Sequence, residues 1–152
     1  ELTKDMGVFA GDSNGNFNPN QGITRAQFAA VVCRFLGGEK DAKNMKTSVF
    51  TDVPTSHWAN GYIAWAYGKG IISGYGNGKF GPSDTVTYEQ AIKMLMGGIG
   101  YGDAAVDAGG YPNGYISVAD NYGFLRGVEN TFGNMITRAN IAVLVSNIIV
   151  IR

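Results

Sequence analysis

Gly70-Ile71-Ile72-Ser73-Gly74-Tyr75-Gly76-Asn77-Gly78-Lys79-Phe80-Gly81-Pro82, followed by Val86 and Thr87, is the stretch on which the fold turns. Gly7-Val8, Gly11, Gly15, Phe17, Pro19, Ile23 and Thr24 repeat its landmarks at one constant offset. A third copy, Gly123-Phe124, Gly127, Ile136 and Thr137, keeps both ends but is three residues shorter in the middle. Repetition at this period means that one unit cannot bury its apolar face alone and needs its neighbours to complete a core.

The repeat reaches upstream of the glycines. Asn60-Gly61-Tyr62-Ile63-Ala64-Trp65-Ala66 aligns with Asn113-Gly114-Tyr115-Ile116-Ser117-Val118-Ala119. The same distance before Gly7 lies ahead of Glu1, so the first copy is expected to lack its opening half, and the chain to be a fragment, a processed form, or one partner of something that completes it.

Each copy predicts a helix after its threonine. Thr24 can cap the first turn, and Gln27 stands at the capping-box spacing. Phe28, Val31, Val32, Phe35 and Leu36 then form one apolar stripe, and Gly37-Gly38 ends it. Thr87 with Gln90 repeats the start, with Ile92, Leu95, Met96 and Ile99 inward; Thr137 does so with Ile141, Leu144, Val145, Ile148 and Ile149. Other helices are expected over 56–67 and 113–122. Between the two helices of a copy, glycines permit tight turning and Phe80 is placed to plug the loop onto them. The expected fold is therefore mainly α, with little or no β.

With 152 residues, 45% of them apolar, the chain can build one respectable core. Twelve basic and twelve acidic residues cancel, which removes the basic footprint of a duplex-binding protein. The longest apolar stretches fall far short of the ~20 residues of a membrane-spanning helix, so no membrane insertion is expected. Cys33 is the one cysteine and lies in an apolar run, which reads as a small core residue.

Phe50-Thr51-Asp52-Val53, His57-Trp58-Ala59, Tyr62-Ile63, Gly70 to Tyr75 and Gly78 to Pro82 together resemble an S-layer homology repeat. Ile23-Thr24-Arg25-Ala26-Gln27 and Ile136-Thr137-Arg138-Ala139-Asn140 are similar to that family's threonine-arginine-alanine-acid signature. The resemblance implies three tandem helix-loop-helix repeats in a pseudo-threefold bundle: 1–38 (incomplete at its start), a linker at 39–49, 50–100, a linker at 101–110, and 111–152 with its shortened loop. It also implies that grooves between repeats hold a secondary cell wall polysaccharide, typically through a pyruvylated sugar, without catalysis or cofactor. Extracellular anchoring at a bacterial cell surface follows from the same resemblance. Tyr88 stands where the signature has arginine, which marks a degenerate groove. The third copy lacks the segment matching Gly78 to Pro82, and Phe132 is the candidate replacement for its aromatic.

Arg25 and Arg138 follow a capping threonine at the first helical position, where the macrodipole disfavours a cation. That placement invites an anionic partner, since helix-start amides and a guanidinium fork suit a carboxylate. The competing reading is an arginine whose stem covers core and whose head pairs with a carboxylate or loop carbonyl. Thr24, Thr137, Trp58 and Gly74 complete the expected ligand-binding set. Trp58 offers a ring for sugar stacking, against core packing as the alternative, whereas Trp65 reads as core. His57 has no second metal-ligating neighbour, and Asp12 to Asn16 reads as a turn rather than a calcium loop. Two functions compete: a noncatalytic wall-anchoring module with polysaccharide as partner, and a self-assembling unit of a surface lattice or filament in which a neighbouring copy completes the first repeat.

Overall fold

A computed structural model describes residues 18–151. Gly7-Val8, Gly11, Gly15, Phe17, the expected turn at Asp12 to Asn16 and the start of the first copy lie outside the described residues. The described residues form helices α1 (Arg25–Phe35), α2 (Glu39–Lys43), α3 (Asn60–Gly68), α4 (Tyr88–Gly98), α5 (Gly102–Asp107), α6 (Asn113–Asn121) and α7 (Arg138–Ile151), and no named strand. The mainly α class expected from the repeats is what the chain adopts.

Both capping boxes close as the sequence predicts. Gln27 N–H donates to Thr24 Oγ1 at 3.0 Å while Thr24 N–H donates to Gln27 Oε1 at 2.9 Å. Thr87 and Gln90 repeat the pair at 3.2 and 3.0 Å. Such a cap satisfies two amides that a helix start leaves without partners. At the other end of α1, Gly37 takes a φ of 77°, and Gly38 is pressed on Trp65 so closely that a Cβ would stand 2.3 Å from the indole.

The same interlock recurs around the molecule. Arg25 N–H donates to Asp84 O (2.8 Å), Tyr88 N–H to Asn134 O (3.0 Å) and Arg138 N–H to Gln21 O (2.8 Å). Isolated bridges pair Thr24 with Thr85, Thr87 with Met135, and Thr137 with Gly22 beside these bonds. Each copy's helix start is thus tied to the loop of the next, first to second, second to third and third to first. A pseudo-threefold ring follows, and its axis gathers one continuous core that includes Phe28, Ile63, Phe80, Ile92, Leu95, Phe124, Ile141 and Leu144. Cys33 is buried in it, and desolvation, with Glu39 nearby, pushes its thiol up to about 11.

Three expectations are corrected. The helix predicted over 56–67 begins later, at Asn60, because the preceding residues turn: His57 N–H donates to Pro54 O and Ala59 N–H to His57 Nδ1. The stretches 39–49 and 101–110 are more than surface connections, since α2 and α5 bury Ala42 and Ala105 against α3 and α6. There the chain comes so close that a Cβ on Gly61 would lie 2.2 Å from Ala42 O, and one on Gly114 2.1 Å from Ala105 O. Phe132 does not plug the third loop; it is 49% exposed. The bond from Tyr88 to Asn134 sets Phe132 opposite Pro82, and the shortened loop has no ring in the place of Phe80.

Candidate functional site

The start of α1, the loop 71–75, the first half of α4 and Tyr111 surround a recess of about 250 Å³. All three copies contribute: Arg25 from the first, Ser73, Gly74, Tyr75, Gln90 and Lys93 from the second, and Tyr111 from the opening of the third. The ring of interlocks explains the meeting, because docking the α1 start on Asp84 brings Arg25 over the second copy's glycine loop.

Arg25 is only 6% exposed. Its Nε donates to Phe80 O at 2.8 Å and one Nη to Ser73 O at 3.3 Å, while its Cζ lies 4.5 Å from the Phe80 ring centroid and 4.8 Å from that of Tyr75. Loop carbonyls therefore hold part of the fork, as the competing sequence reading allowed, yet the residue still lines the recess. Burial draws its pKa down, against the attraction of Tyr75, Asp84 and Asp52. An arginine stays charged in such a setting.

Lys93 is the second cation of the recess, with Nζ 6.0 Å from the Tyr111 ring centroid. Partial burial, and then the charge of Arg25, lowers its pKa. Among the described residues, no carboxylate lines the recess. Asp84 lies behind Tyr75, accepting from its hydroxyl at 2.7 Å, and Asp52 accepts from the Phe80 and Gly81 amides at 2.9 Å each. Although burial opposes it, these backbone bonds hold the Asp52 carboxyl below its ordinary pKa. The acids thus brace the loop, and the open face keeps two positive charges over an apolar floor of Ile71, Ile72 and Met94.

The other expected residues take different places. Gly74 lines the recess, and it must be glycine because a Cβ would meet the Phe50 ring at 2.5 Å and Lys79 O at 2.6 Å. Thr24 and Thr137 spend their hydroxyls as caps, the latter accepting from Asn140 N–H at 3.2 Å. Arg138 is as deep as Arg25, at 5% exposed, and its Nε donates to Gly22 O at 3.3 Å; the loop that would face it lies outside the described residues. Tyr88 fills the corresponding position of the second copy with a buried ring, and burial followed by Asp120 raises its phenol pKa, so an uncharged group replaces the cation there. Trp58 is away from the Arg25 recess.

Lys93 and Tyr111 escaped the sequence reading, though both left a signal. Lys93 stands beside the inward stripe, where the other copies carry the apolar Ala30 and Val143. Tyr111 stands opposite Trp58 in the register that pairs Asn60 with Asn113.

Residues 3–29 and 49–92 match the S-layer homology domain. The chain belongs to this family. A cell surface protein of Thermoanaerobacter kivui is 34% identical over 141 residues, covering 91% of this S-layer homology chain and 18% of the relative. The middle cell wall protein of Brevibacillus brevis is 34% identical over 143 residues, 93% of the chain and 13% of the relative. A cellulosome-anchoring protein of Acetivibrio thermocellus is 33% identical over 97 residues, 60% of the chain and 21% of the relative. The S-layer homology chain thus spans about a fifth or less of these relatives. Family and relatives support an extracellular, cell-surface location and a cell-surface anchoring module. Among the described residues, no helix is long and apolar enough to cross a membrane.

Proposed function

We propose that this chain is a noncatalytic anchoring module that holds an anionic, pyruvylated secondary cell wall polysaccharide in the groove between its repeats. The observation that carries this reading is the convergence of Arg25 and Lys93 on a recess lined by all three copies and, among the described residues, by no carboxylate. An acidic ketal brings a carboxylate to the two cations and an apolar edge to Ile71, Ile72 and Met94. Ser73, Gly74, Tyr75 and Tyr111 shape the walls. Arg138 is the corresponding cation of a second groove, and Tyr88 makes the remaining one a poor anion site. Pull-down on purified sacculi tests the reading: binding is expected to be lost when the polymer or its pyruvyl groups are stripped, and to weaken about a hundredfold in an Arg25→Ala, Lys93→Ala double variant. Undiminished binding of that variant overturns it.

Self-assembly is the second reading, and one observation favours it. Helix α7 continues through Val150 and Ile151, 75% and 50% exposed, in the register where Gly37-Gly38 and Gly100-Tyr101 stop the other two copies. Exposed apolar side chains on a helix can seat a neighbouring copy. Light scattering of the purified chain across a concentration series tests it, and a constant monomer mass counts against it.

A further inference from the structure

The glycine loop of the second copy carries a chemically labile pair, Asn77-Gly78. In such a pair the glycine nitrogen can attack the asparagine side-chain amide, and the missing Cβ leaves that approach open. The sequence holds four pairs of this kind, of which Asn14-Gly15 lies outside the described residues. The other three share the dipeptide but not its surroundings. Folding therefore decides which of them reacts.

Asn60-Gly61 and Asn113-Gly114 open helices α3 and α6. Asn60 is 3% exposed and its Nδ2 donates to Thr47 O at 3.2 Å, so the leaving amide is held and water is kept away. Gly114 N–H donates to Gly110 O at 2.6 Å, which ties up the nitrogen that would attack. Both glycines are also pressed on the carbonyls of Ala42 and Ala105, and ring closure would have to pull them off.

Asn77-Gly78 has none of these restraints. Both residues are exposed, and Gly78 N–H has no acceptor among the described residues. Asn77 Oδ1 accepts from Lys79 N–H at 3.1 Å, which folds the side chain back along its own backbone. The same bond polarises the carbonyl and sits where negative charge grows on its oxygen during attack. Thr51 steadies the other side by donating its N–H to Gly78 O at 2.8 Å.

We propose that Asn77 is a site of spontaneous deamidation, and that the rearranged product loosens the loop holding Arg25. Gly78 N gives up its proton to water and bonds to Asn77 Cγ. The Cγ–Nδ2 bond breaks, and Nδ2 takes a proton from water and leaves as ammonia, which yields a cyclic succinimide. Water then opens the ring. Cleavage of the bond from Gly78 N to Cγ gives aspartate on the original backbone, whereas cleavage of the bond from Gly78 N to the backbone carbonyl carbon gives isoaspartate, whose chain runs through an added methylene. The N–H···O bond from Tyr75 to Lys79, 2.8 Å long, closes the loop across this point, and the Tyr75 ring centroid lies 4.8 Å from Arg25 Cζ. A longer backbone strains that closure. The modification rests on the loop alone and does not depend on what the groove binds.

The natural chain is aged in mildly alkaline buffer at physiological temperature, and its peptides are followed by mass spectrometry, with isoaspartyl methyltransferase labelling the rearranged backbone. Asn77 is expected to lose its amide about tenfold faster than Asn60 or Asn113, or more, and faster still as pH rises. In urea the three rates are expected to converge, because only the dipeptide remains. The isoaspartyl fraction, separated by ion exchange, is expected to melt below the fresh chain, while Asn77→Asp, which adds the charge on an ordinary backbone, melts close to it. The proposal is overturned if Asn77 keeps its amide in the folded chain, if Asn60 or Asn113 reacts as fast there, or if the isoaspartyl fraction melts with the fresh chain.

Discussion

The guanidinium of Arg25 lies over the ring of Phe80 at 4.5 Å and donates from Nε to that residue's own carbonyl at 2.8 Å. One residue of the second copy thus supplies both a π face and an acceptor to a cation from the first. The ring fills the loop interior while the carbonyl turns outward, so core packing and cation placement are coupled at a single position. This coupling lets a buried arginine point toward a recess at the junction of three repeats.

Replacing Arg25 should therefore separate charge from geometry. Arg25→Lys keeps a cation but loses the planar fork that spans Phe80 O and Ser73 O. Affinity for wall polysaccharide is expected to fall about tenfold in the lysine variant and further in Arg25→Ala. Calorimetry on both, with melting curves to confirm folding, checks the order; equal affinity in lysine and alanine variants would remove any role for the charge.

Lys93 is expected to make the proposed glycan binding depend on pH. Its pKa is lowered by burial and by Arg25, so its charge is lost as pH rises through a value below that of a free lysine. Affinity for an anionic glycan is expected to decline on the alkaline side earlier than an exposed lysine would dictate. Lys93→Gln should lower affinity at neutral pH and flatten that decline. An unchanged alkaline profile in Lys93→Gln excludes this lysine from the site.

Asp52 contributes to the stability of the glycine loop. It is held below its ordinary pKa by the amides of Phe80 and Gly81, so its contribution is present above the unfolded-state pKa and disappears as pH falls through the lower folded-state value. Asp52→Ala leaves both amides without this acceptor and is expected to cost about 1–3 kcal/mol. Urea denaturation at neutral and acid pH checks it, and the difference from the natural chain should shrink in acid.

Gly61→Ala and Gly114→Ala probe the short helices between the copies. Each added methyl would collide with a backbone carbonyl, Ala42 O or Ala105 O, which cannot rotate away as a side chain would. A loss of about 1–3 kcal/mol is expected for each. Comparable destabilisation at the two sites would establish α2 and α5 as equivalent parts of the core; a neutral result at either would mark that helix as dispensable.

Much of this architecture was legible in the chain before folding was considered. Thr24 with Gln27 and Thr87 with Gln90 announce helix starts because capping is a local event, decided within four residues. Phe80 could be read as a plug because its loop is otherwise glycine and polar residues. The start of α3 was misplaced because the turn before it rests on bonds from His57 and Pro54 that leave no periodic trace. Helices α2 and α5 were missed for a related reason: one buried alanine apiece is too little apolar periodicity to reveal a helix.

The site divides along the same line. Arg25 was visible because the repeated motif singles it out, whereas Lys93 and Tyr111 became partners only when three copies closed into a ring. Trp58 reads from sequence as a ring for sugar stacking or for core packing, and the folded chain leaves it 58% exposed, beside Lys43 and Lys46.

Local chemistry and repetition, both carried by residues close together in the chain, were enough to establish the helical class, to bring out one motif in three copies and to single out Arg25 as a candidate cation. Which walls that cation faces, what charge surrounds it and where the exposed indole points depend on contacts between residues far apart in sequence. Those contacts follow from how the repeats interlock, because each copy buries its apolar face against the next and so determines which surfaces meet.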